Sequence, residues 1–508
     1  ANTLAEGPRG PVLCLGRGGQ VRKKPNIVYI LADDLGYGDV SSLNPDCPFV
    51  TTHFDRLAQQ GMYFTDAHAT SAVCTPSRYS IITGRYNWRS QLKSYVLGGF
   101  SAPLIDENRK TVAQLLKKGG YATHAVGKWH LGMDLPKQDG FVEAAEFGDS
   151  HPIDYTKPIK GGPTSVGFDS YYGISGSLDM PPYVYIKDDR FTAVPTKTTK
   201  GTGKGFWREG LTADDFVHEE VLDHLTDKAL EVIRENKDRP FFLYFALPAP
   251  HTPILPHANF RGKSNTNAYG DFVLHCDDVV GRVLDTLKES GIDEHTLVIF
   301  TSDNGCSPMA DFAELARFGH NPSYHFRGMK SDIFEGGHRV PLLMRWPEVI
   351  EPHSISNHLV CLADFYATAA DILDLGLAED EAVDSVSLLP LLSDSTHPEV
   401  RGSLVHQSID GSLSLRKGKY KLEMCKGSGG WSYPASGSMD EQGLPSVQLY
   451  DLDCDIAETL NVQAEHPDVV VAMRTELAFI VREGRSTPGP RQHNDGVAVW
   501  ETVAWLAD

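Results

Sequence analysis

The chain predicts an α/β protein with a large mixed, mostly parallel sheet flanked by helices, followed by a smaller α+β domain. Three observations predict this. Continuous apolar runs of strand length recur along the first three quarters of the sequence, as expected of strands buried on both faces of a parallel sheet. Stretches with helical spacing lie between them, and alternating strands and helices build such sheets. After about residue 392 the pattern changes to short strand-like runs separated by glycine-rich turns.

The first run is Asn26-Ile-Val-Tyr-Ile-Leu-Ala32, just after Pro25; Pro240-Phe-Phe-Leu-Tyr-Phe-Ala246 and Thr296-Leu-Val-Ile-Phe-Thr301 read the same way. Helices are predicted over 54–60, 111–118, 213–236 and 269–290. The last carries Phe272, Val273, Val279, Val280, Val283, Leu284 and Leu287 on one face. The catalytic part is assigned to 24–392, ending near Ser387-Leu-Leu-Pro-Leu-Leu392. A C-terminal α+β subdomain is assigned to 393–508, with short strands over 402–452 and a helix over about 467–482. Residues 1–23 form an N-terminal extension without the apolar core of a signal peptide.

Composition narrows the function. The 508 residues carry 47 Lys+Arg against 67 Asp+Glu, a net charge of −20, which argues against nucleic acid or an anionic membrane surface as a general partner. No apolar run reaches 18 residues, so no membrane-spanning helix is expected. Eight cysteines without a CxxC pair fit neither a disulfide scaffold nor a zinc ribbon. Mostly buried thiols are expected, with room for one disulfide.

The chemistry concentrates where buried strands end. The first strand runs into Asp33-Asp34-Leu-Gly36-Tyr-Gly38-Asp39 and the third into Ser302-Asp303-Asn304-Gly305. Ligands of open α/β sheets bind beyond the carboxyl ends of strands. Adjacent carboxylates there repel unless a cation lies between them, and an all-oxygen set suits a hard divalent ion. No cluster of His or Cys in the sequence favours zinc, and no second metal set of His and Asp is evident. A third polar segment, Ser71-Ala-Val-Cys74-Thr-Pro76-Ser77-Arg78, is followed by Thr83-Gly84-Arg85. A helix starting just after Pro76 would let Arg78 reach back over its N-terminus, where anions bind.

Cys74-x-Pro76-x-Arg78 with Thr83-Gly84-Arg85 resembles the signature of the formylglycine-dependent (type I) sulfatases, in the alkaline phosphatase superfamily. Further segments match that family in order: Asp33-Asp34-Leu-Gly36-Tyr-Gly38, Gly127-Lys128-Trp-His130-Leu-Gly132, Pro250-His251-Thr-Pro253, Ser302-Asp303-Asn304-Gly305 and Phe334-Glu-Gly-Gly337-His-Arg-Val-Pro341. They span roughly residues 25–390, and the branch most resembled is that of N-acetylgalactosamine-6-sulfatase and arylsulfatase A. The resemblance implies an alkaline phosphatase-like fold and hydrolysis of a sulfate ester. It implies that Cys74 is oxidised to formylglycine, whose hydrate supplies the nucleophile, with a formylglycine-generating or other maturation enzyme as partner. It also implies one Ca²⁺ held by Asp33, Asp34, Asp303, Asn304 and residue 74, and a positive wall of Arg78, Lys128, His130, His251 and Lys330 around the sulfate. His251 is the candidate acid for the departing alcohol. His130 with Lys128 holds the nucleophile and helps to deprotonate it.

The expected substrate is a sulfated saccharide, galacto-configured and attacked from its end, in a glycosaminoglycan or algal polysaccharide. Sugar-facing loops are predicted at Ser177-Leu-Asp179-Met-Pro-Pro-Tyr183, His320-Asn-Pro-Ser-Tyr324-His325 and Gly427-Ser-Gly-Gly-Trp431. A periplasmic or secreted location is expected. Two other readings stand beside this one: a formylglycine-dependent phosphonate or phosphate ester hydrolase, and a glycan-binding relative without catalysis. Oligomeric state is not legible.

Overall fold

In the computed structural model, residues 24–139 and 152–507 are described. The apolar runs form the centre of a ten-stranded sheet. Five parallel strands lie side by side in the order Thr296–Ser302, Asn26–Asp33, Phe241–Pro250, Ala122–Lys128 and Ser170–Ile174. The first three of these are buried along their whole length, which is why their sequences lack alternation. Antiparallel strands extend the sheet on both sides, with Leu342–Arg345 beside Thr296–Ser302 and Ile186–Lys187 beside Ser170–Ile174.

Alternation along the strands assigns helices to both faces. Tyr29 packs on Phe365 of the helix Phe365–Ile372, with ring centroids 4.8 Å apart. Phe300, paired with Ile30 on the opposite face, stacks on Phe54 of the helix Thr52–Gln59 at 4.3 Å. The helices Val221–Asn236 and Ala268–Glu289 pack against each other and against the strand Phe241–Pro250. The predicted helix over 213–236 thus starts later than expected. Ala213 is held by its N–H to the Tyr183 carbonyl, beside the small ribbon of Lys197–Thr199 and Gly210–Thr212. The helix begins once the chain leaves that ribbon.

Two strands escape the apolar-run criterion. In Ala122–Lys128, Thr123, His124 and Gly127 interrupt the hydrophobic run, and in Ser170–Ile174 the sequence is Ser-Tyr-Tyr-Gly-Ile. Gly127 (φ 110°) is required by packing, because a Cβ there would lie 1.8 Å from the Ala246 carbonyl oxygen of the next strand.

Beyond the large sheet, the antiparallel strands Ser403–Gln407, Leu413–Lys417, Tyr420–Glu423 and Gln448–Asp451 form a second one. Side chains alternate between its faces. The cross-strand row Val405, Leu415, Leu422, Leu449 shares a core with Met473, Leu477 and Ile480 of the helix Pro467–Glu483. The neighbouring row, His406, Ser414, Glu423 and Gln448, occupies the other face and is also buried. Tyr86 and Trp88, just after the Cys74 helix, join the same core and tie this sheet to the first. No helix of the described residues is long and apolar enough to cross a membrane. The seven cysteines among the described residues are free thiols, as expected.

Candidate active site

The parallel strands deliver their carboxyl-terminal residues to one place. Asp33 closes its strand in register with Pro250, while Ala32 pairs with Ser302, one residue before Asp303. Asp34 turns the chain in the left-handed region (φ 62°), as does His130 (φ 58°) after the strand Ala122–Lys128. Such backbone strain costs on the order of 1–3 kcal/mol per residue and persists where the surroundings hold it.

Cys74 is the first residue of the helix Cys74–Thr83, so the helix starts earlier than predicted. Pro76 is tolerated because first-turn N–H groups have no intrahelical acceptor. Arg78 does not fold back over the helix end. Its Nε and Nη2 donate to Asp303 Oδ2 at 3.1 and 2.7 Å, and Nη2 lies 3.5 Å from Asp33 Oδ1. Lys128 Nζ donates to Asp33 Oδ2 at 2.7 Å and to Ser177 Oγ at 3.2 Å. Lys330 Nζ lies 2.8 Å from the Asp34 carboxylate, which also accepts from Asn304 Nδ2 at 2.7 Å. Arg327 is turned away, bonded to the Glu458 carbonyl and seated over the Phe334 ring, so Lys330 alone of that pair enters the site.

The histidines take distinct roles. His130 Nε2 donates to the Leu97 carbonyl at 2.6 Å, which leaves Nδ1 an acceptor with no partner. Burial, with Lys128 adding to it, pushes this imidazole well below its ordinary pKa and keeps it neutral. His251 Nε2 lies 3.6 Å from Asp34 Oδ2, and its Nδ1 is near Ser177 Oγ and the Thr252 carbonyl. All the predicted site residues are therefore brought together. The sequence reading did not single out Ser177, placing it only within a loop, nor the Leu97 carbonyl; Ser177 links Lys128 to His251.

The carboxylates share one buried space and do not behave alike. Burial raises Asp33, but Lys128, His251 and Arg78 outweigh it and hold the carboxyl well below its usual range. Asp303 is pushed up by burial and then by Asp33. Three carboxylates face three fixed cations, Arg78, Lys128 and Lys330. A divalent cation would make the pocket net positive despite the chain's overall charge. Donor chemistry fits one: Asp33 Oδ1 and Asn304 Oδ1 are buried acceptors without a hydrogen-bond partner, and Asp33, Asp34 and His251 group as possible ligands. The Cys74 thiol is raised above its ordinary pKa by burial, so as a plain cysteine it stays protonated and is a poor nucleophile.

Above Cys74 opens a cavity of about 420 Å³, within the ~300–1,000 Å³ of small-ligand sites. His251 and Lys330 line it at the chemical end, with Asp179, Arg208 and Trp431 on its walls. Two of the three predicted sugar-facing loops reach it. The third does not: His320 is bonded to Asp39 Oδ1 at 2.7 Å and packs on Phe49, and Tyr324 stacks on Tyr37. That loop braces the turn after Asp34 from behind, through Gly38 N–H to the Pro322 carbonyl at 2.8 Å.

A pocket at the carboxyl end of a mostly parallel sheet, with carboxylates for a hard cation below and Arg and Lys around an oxyanion, is built to hydrolyse an oxyanion ester. The sulfatase family model matches residues 25–375, and the chain belongs to this family. It is a sulfuric ester hydrolase. It is similar to an N-acetylgalactosamine-6-O-sulfatase of Bacteroides thetaiotaomicron, 33% identical over 494 residues, covering 89% of this chain and 92% of that protein. Arylsulfatase A of Homo sapiens is 31% identical over 511 residues, 96% of this chain and 93% of its own. A solved structure from work on the metabolism of multiple glycosaminoglycans by Bacteroides thetaiotaomicron superposes with a TM-score of 0.79 at 33% identity, covering 90% and 99% of the two chains. A phosphonate monoester hydrolase of Agrobacterium radiobacter, at 19% identity over 91% and 96% of the chains, shares the fold with a TM-score of 0.58.

Proposed function

We propose that this sulfatase removes one sulfate group from the terminal residue of a sulfated, galacto-configured saccharide, with Cys74 carried as formylglycine and one Ca²⁺ in the site. The observation that carries the assignment is the convergence of Asp33, Asp34, Asp303 and Asn304 with Arg78, Lys128 and Lys330 at the floor of the cavity that Cys74 opens into. Asp33, Asp34, Asp303 and Asn304 would hold the cation together with residue 74, and the cation would polarise a sulfate oxygen and favour the ionised nucleophile. The formylglycine hydrate would supply a hydroxyl nucleophile that the protonated thiol cannot.

The protein's own groups then have separate tasks. Arg78 is fixed by Asp303 at the start of the helix and orients that carboxylate. Lys128 and Lys330 present ammonium groups toward the charge that spreads over the transferring group. His130, neutral and with a free Nδ1, accepts a proton. His251, at the mouth of the chemical end, hands a proton to the departing alcohol. The cavity wall supports a sugar: Asp179 Oδ2 is fixed by Arg208 Nη1 at 2.7 Å while its Oδ1 has no partner, and Trp431 offers a ring face. The relatives named as N-acetylgalactosamine-6-sulfatases support the choice of sugar.

The test combines peptide mass spectrometry at Cys74 with a screen of sulfated monosaccharides on protein matured with and without a formylglycine-generating system. Active preparations should carry the thiol-to-aldehyde change and prefer 6-sulfated N-acetylgalactosamine over gluco-configured sugars. Full activity with unmodified Cys74 overturns the nucleophile, and a preference for phosphonate esters favours the neighbouring chemistry of the fold.

A further inference from the structure

The residue that follows the nucleophile position makes contacts to which no role has yet been given. Thr75 is the second residue of the helix Cys74–Thr83 and is fully buried. Its hydroxyl reaches out of the helix to two other segments. Oγ1 donates to the His130 carbonyl at 2.9 Å and accepts from the Leu97 N–H at 3.2 Å.

These two bonds, with the 2.6 Å bond from His130 Nε2 to the Leu97 carbonyl, close a ring. Each of the three residues gives one hydrogen bond and receives one. The proton positions follow, because a carbonyl oxygen accepts only: the hydroxyl proton points at His130, and the imidazole proton sits on Nε2. His130 is thus held at both ends, its backbone by Thr75 and its imidazole by Leu97. Its Nδ1 is left unprotonated and without a partner in a fully buried side chain. Neither partner of Thr75 lies in a helix or strand. Leu97 falls between Arg89 and Val112, where neither occurs, and His130 follows the strand Ala122–Lys128 in the left-handed region (φ 58°). Backbone groups that no ladder pairs take their partners from side chains, and here one hydroxyl serves both segments.

We propose that Thr75 is a positioning residue for the reaction: its hydroxyl fixes the place and tautomer of the His130 imidazole relative to residue 74. The inference rests on the reading that His130 accepts the proton of the nucleophile. Because Thr75 is the next residue in the chain, nucleophile and acceptor are referenced to one turn of one helix. Proton transfer needs the acceptor within hydrogen-bond reach of the proton, and a displacement of about 1 Å can cost roughly 100-fold in rate. A threonine that only satisfied the buried Leu97 N–H and His130 carbonyl would act on stability and leave turnover alone. The step served by His130 precedes departure of the alcohol, so the effect should not depend on the leaving group.

The test is steady-state kinetics of Thr75→Val, which keeps the shape of the side chain and deletes the hydroxyl. Position 75 adjoins the residue to be oxidised, so rates are divided by the formylglycine content measured by peptide mass spectrometry. Thr75→Val should lower kcat about 10- to 100-fold with KM nearly unchanged, by the same factor on a sulfated sugar and on nitrophenyl sulfate. Thr75→Ser, which keeps the hydroxyl, should recover most of that rate. Adding Thr75→Val to His130→Ala should cost little more, because the threonine acts through the histidine. Should Thr75→Val fail to fold, Thr75→Ala, which sets no methyl against the two polar groups, is compared with Thr75→Ser in the same way. An unchanged kcat in the variant without hydroxyl, beside a slow His130→Ala, overturns the positioning role alone. So do losses that multiply in the double variant. A full rate in His130→Ala overturns the role of His130 and the positioning with it.

Discussion

Two buried charge clusters lie in this molecule, and they differ in what they leave open. At the sulfate pocket, Asp33, Asp34 and Asp303 face Arg78, Lys128 and Lys330, and Cys74, His251 and Lys330 border a cavity. At the seam between the sheets, Glu335, Glu423 and Glu458 surround Lys421, and Asp66 is held by Arg339 at 2.8 Å, all within a sealed interior. The first sets three acids against three cations, the second four acids against two. The first spends its spare donors and acceptors on an exchangeable ligand. The second turns them inward, so its loss should appear as stability rather than as chemistry.

The largest separation is expected at His251. A sugar alcohol is a poor leaving group and needs a proton as the S–O bond breaks, whereas a nitrophenolate leaves unaided. His251→Ala should lower turnover of a sulfated sugar by about 10²–10⁴ and that of nitrophenyl sulfate far less, with no shift in the denaturation midpoint. Steady-state rates on the two substrates check this. Equal losses would make His251 a sulfate-binding group and leave the proton donor to be found elsewhere in the cavity.

The seam answers to the opposite measurement. Lys421 is fully buried, 2.7, 3.1 and 3.2 Å from carboxylate oxygens of Glu458, Glu423 and Glu335. Lys421→Met leaves that acidic group without its central cation, a loss of about 3–5 kcal/mol where a buried ion is left unpaired. Urea unfolding should show the lowered midpoint, and kcat of the protein that remains folded should change little. A change below about 1 kcal/mol would show that the acids stay protonated and that Lys421 is not what holds the sheets together.

The same contrast explains what the sequence discloses. The pocket is legible because each half of its chemistry sits at the end of a buried apolar run: Asp33-Asp34 after one strand, Asp303-Asn304 after another. Cys74, Arg78, Lys128 and His251 were reached through the family's motifs, and the fold brings them to the same point. The strand Ala122–Lys128 escaped because Thr123, His124 and Gly127 break its apolar run. The His320 loop was misjudged because polar and aromatic residues suit a buried brace as well as a sugar platform. The seam was illegible for a different reason. Its members come from distant short stretches, Asp66 with His68, Glu335 with His338, then His406 and Lys421, none of them a recognisable motif, and only the pairing of the small sheet turns His406 and Glu423 to one face.

The smallest expected effect lies at the rim of the pocket, at Trp431. Its side chain is about half exposed and lines the cavity, while its backbone is fixed independently: the N–H is shared between Ser331 Oγ at 3.0 Å and Asp332 Oδ1 at 2.9 Å. Removing the indole should therefore leave the loop, and Lys330 just before Ser331, in place. Packing of an aromatic face is worth about 0.5–1.5 kcal/mol, so Trp431→Ala should raise KM for a sulfated sugar roughly 2- to 10-fold with kcat nearly unchanged, because the ring touches the sugar and not the sulfur. Nitrophenyl sulfate separates ring stacking from sugar recognition. If its KM rises as much, Trp431 holds any flat group; if only the saccharide weakens, the rim selects the sugar. A fall in kcat equal to the rise in KM would mean that the loop positions Lys330 through the indole after all, and would erase the boundary drawn here between the wall of the cavity and its floor.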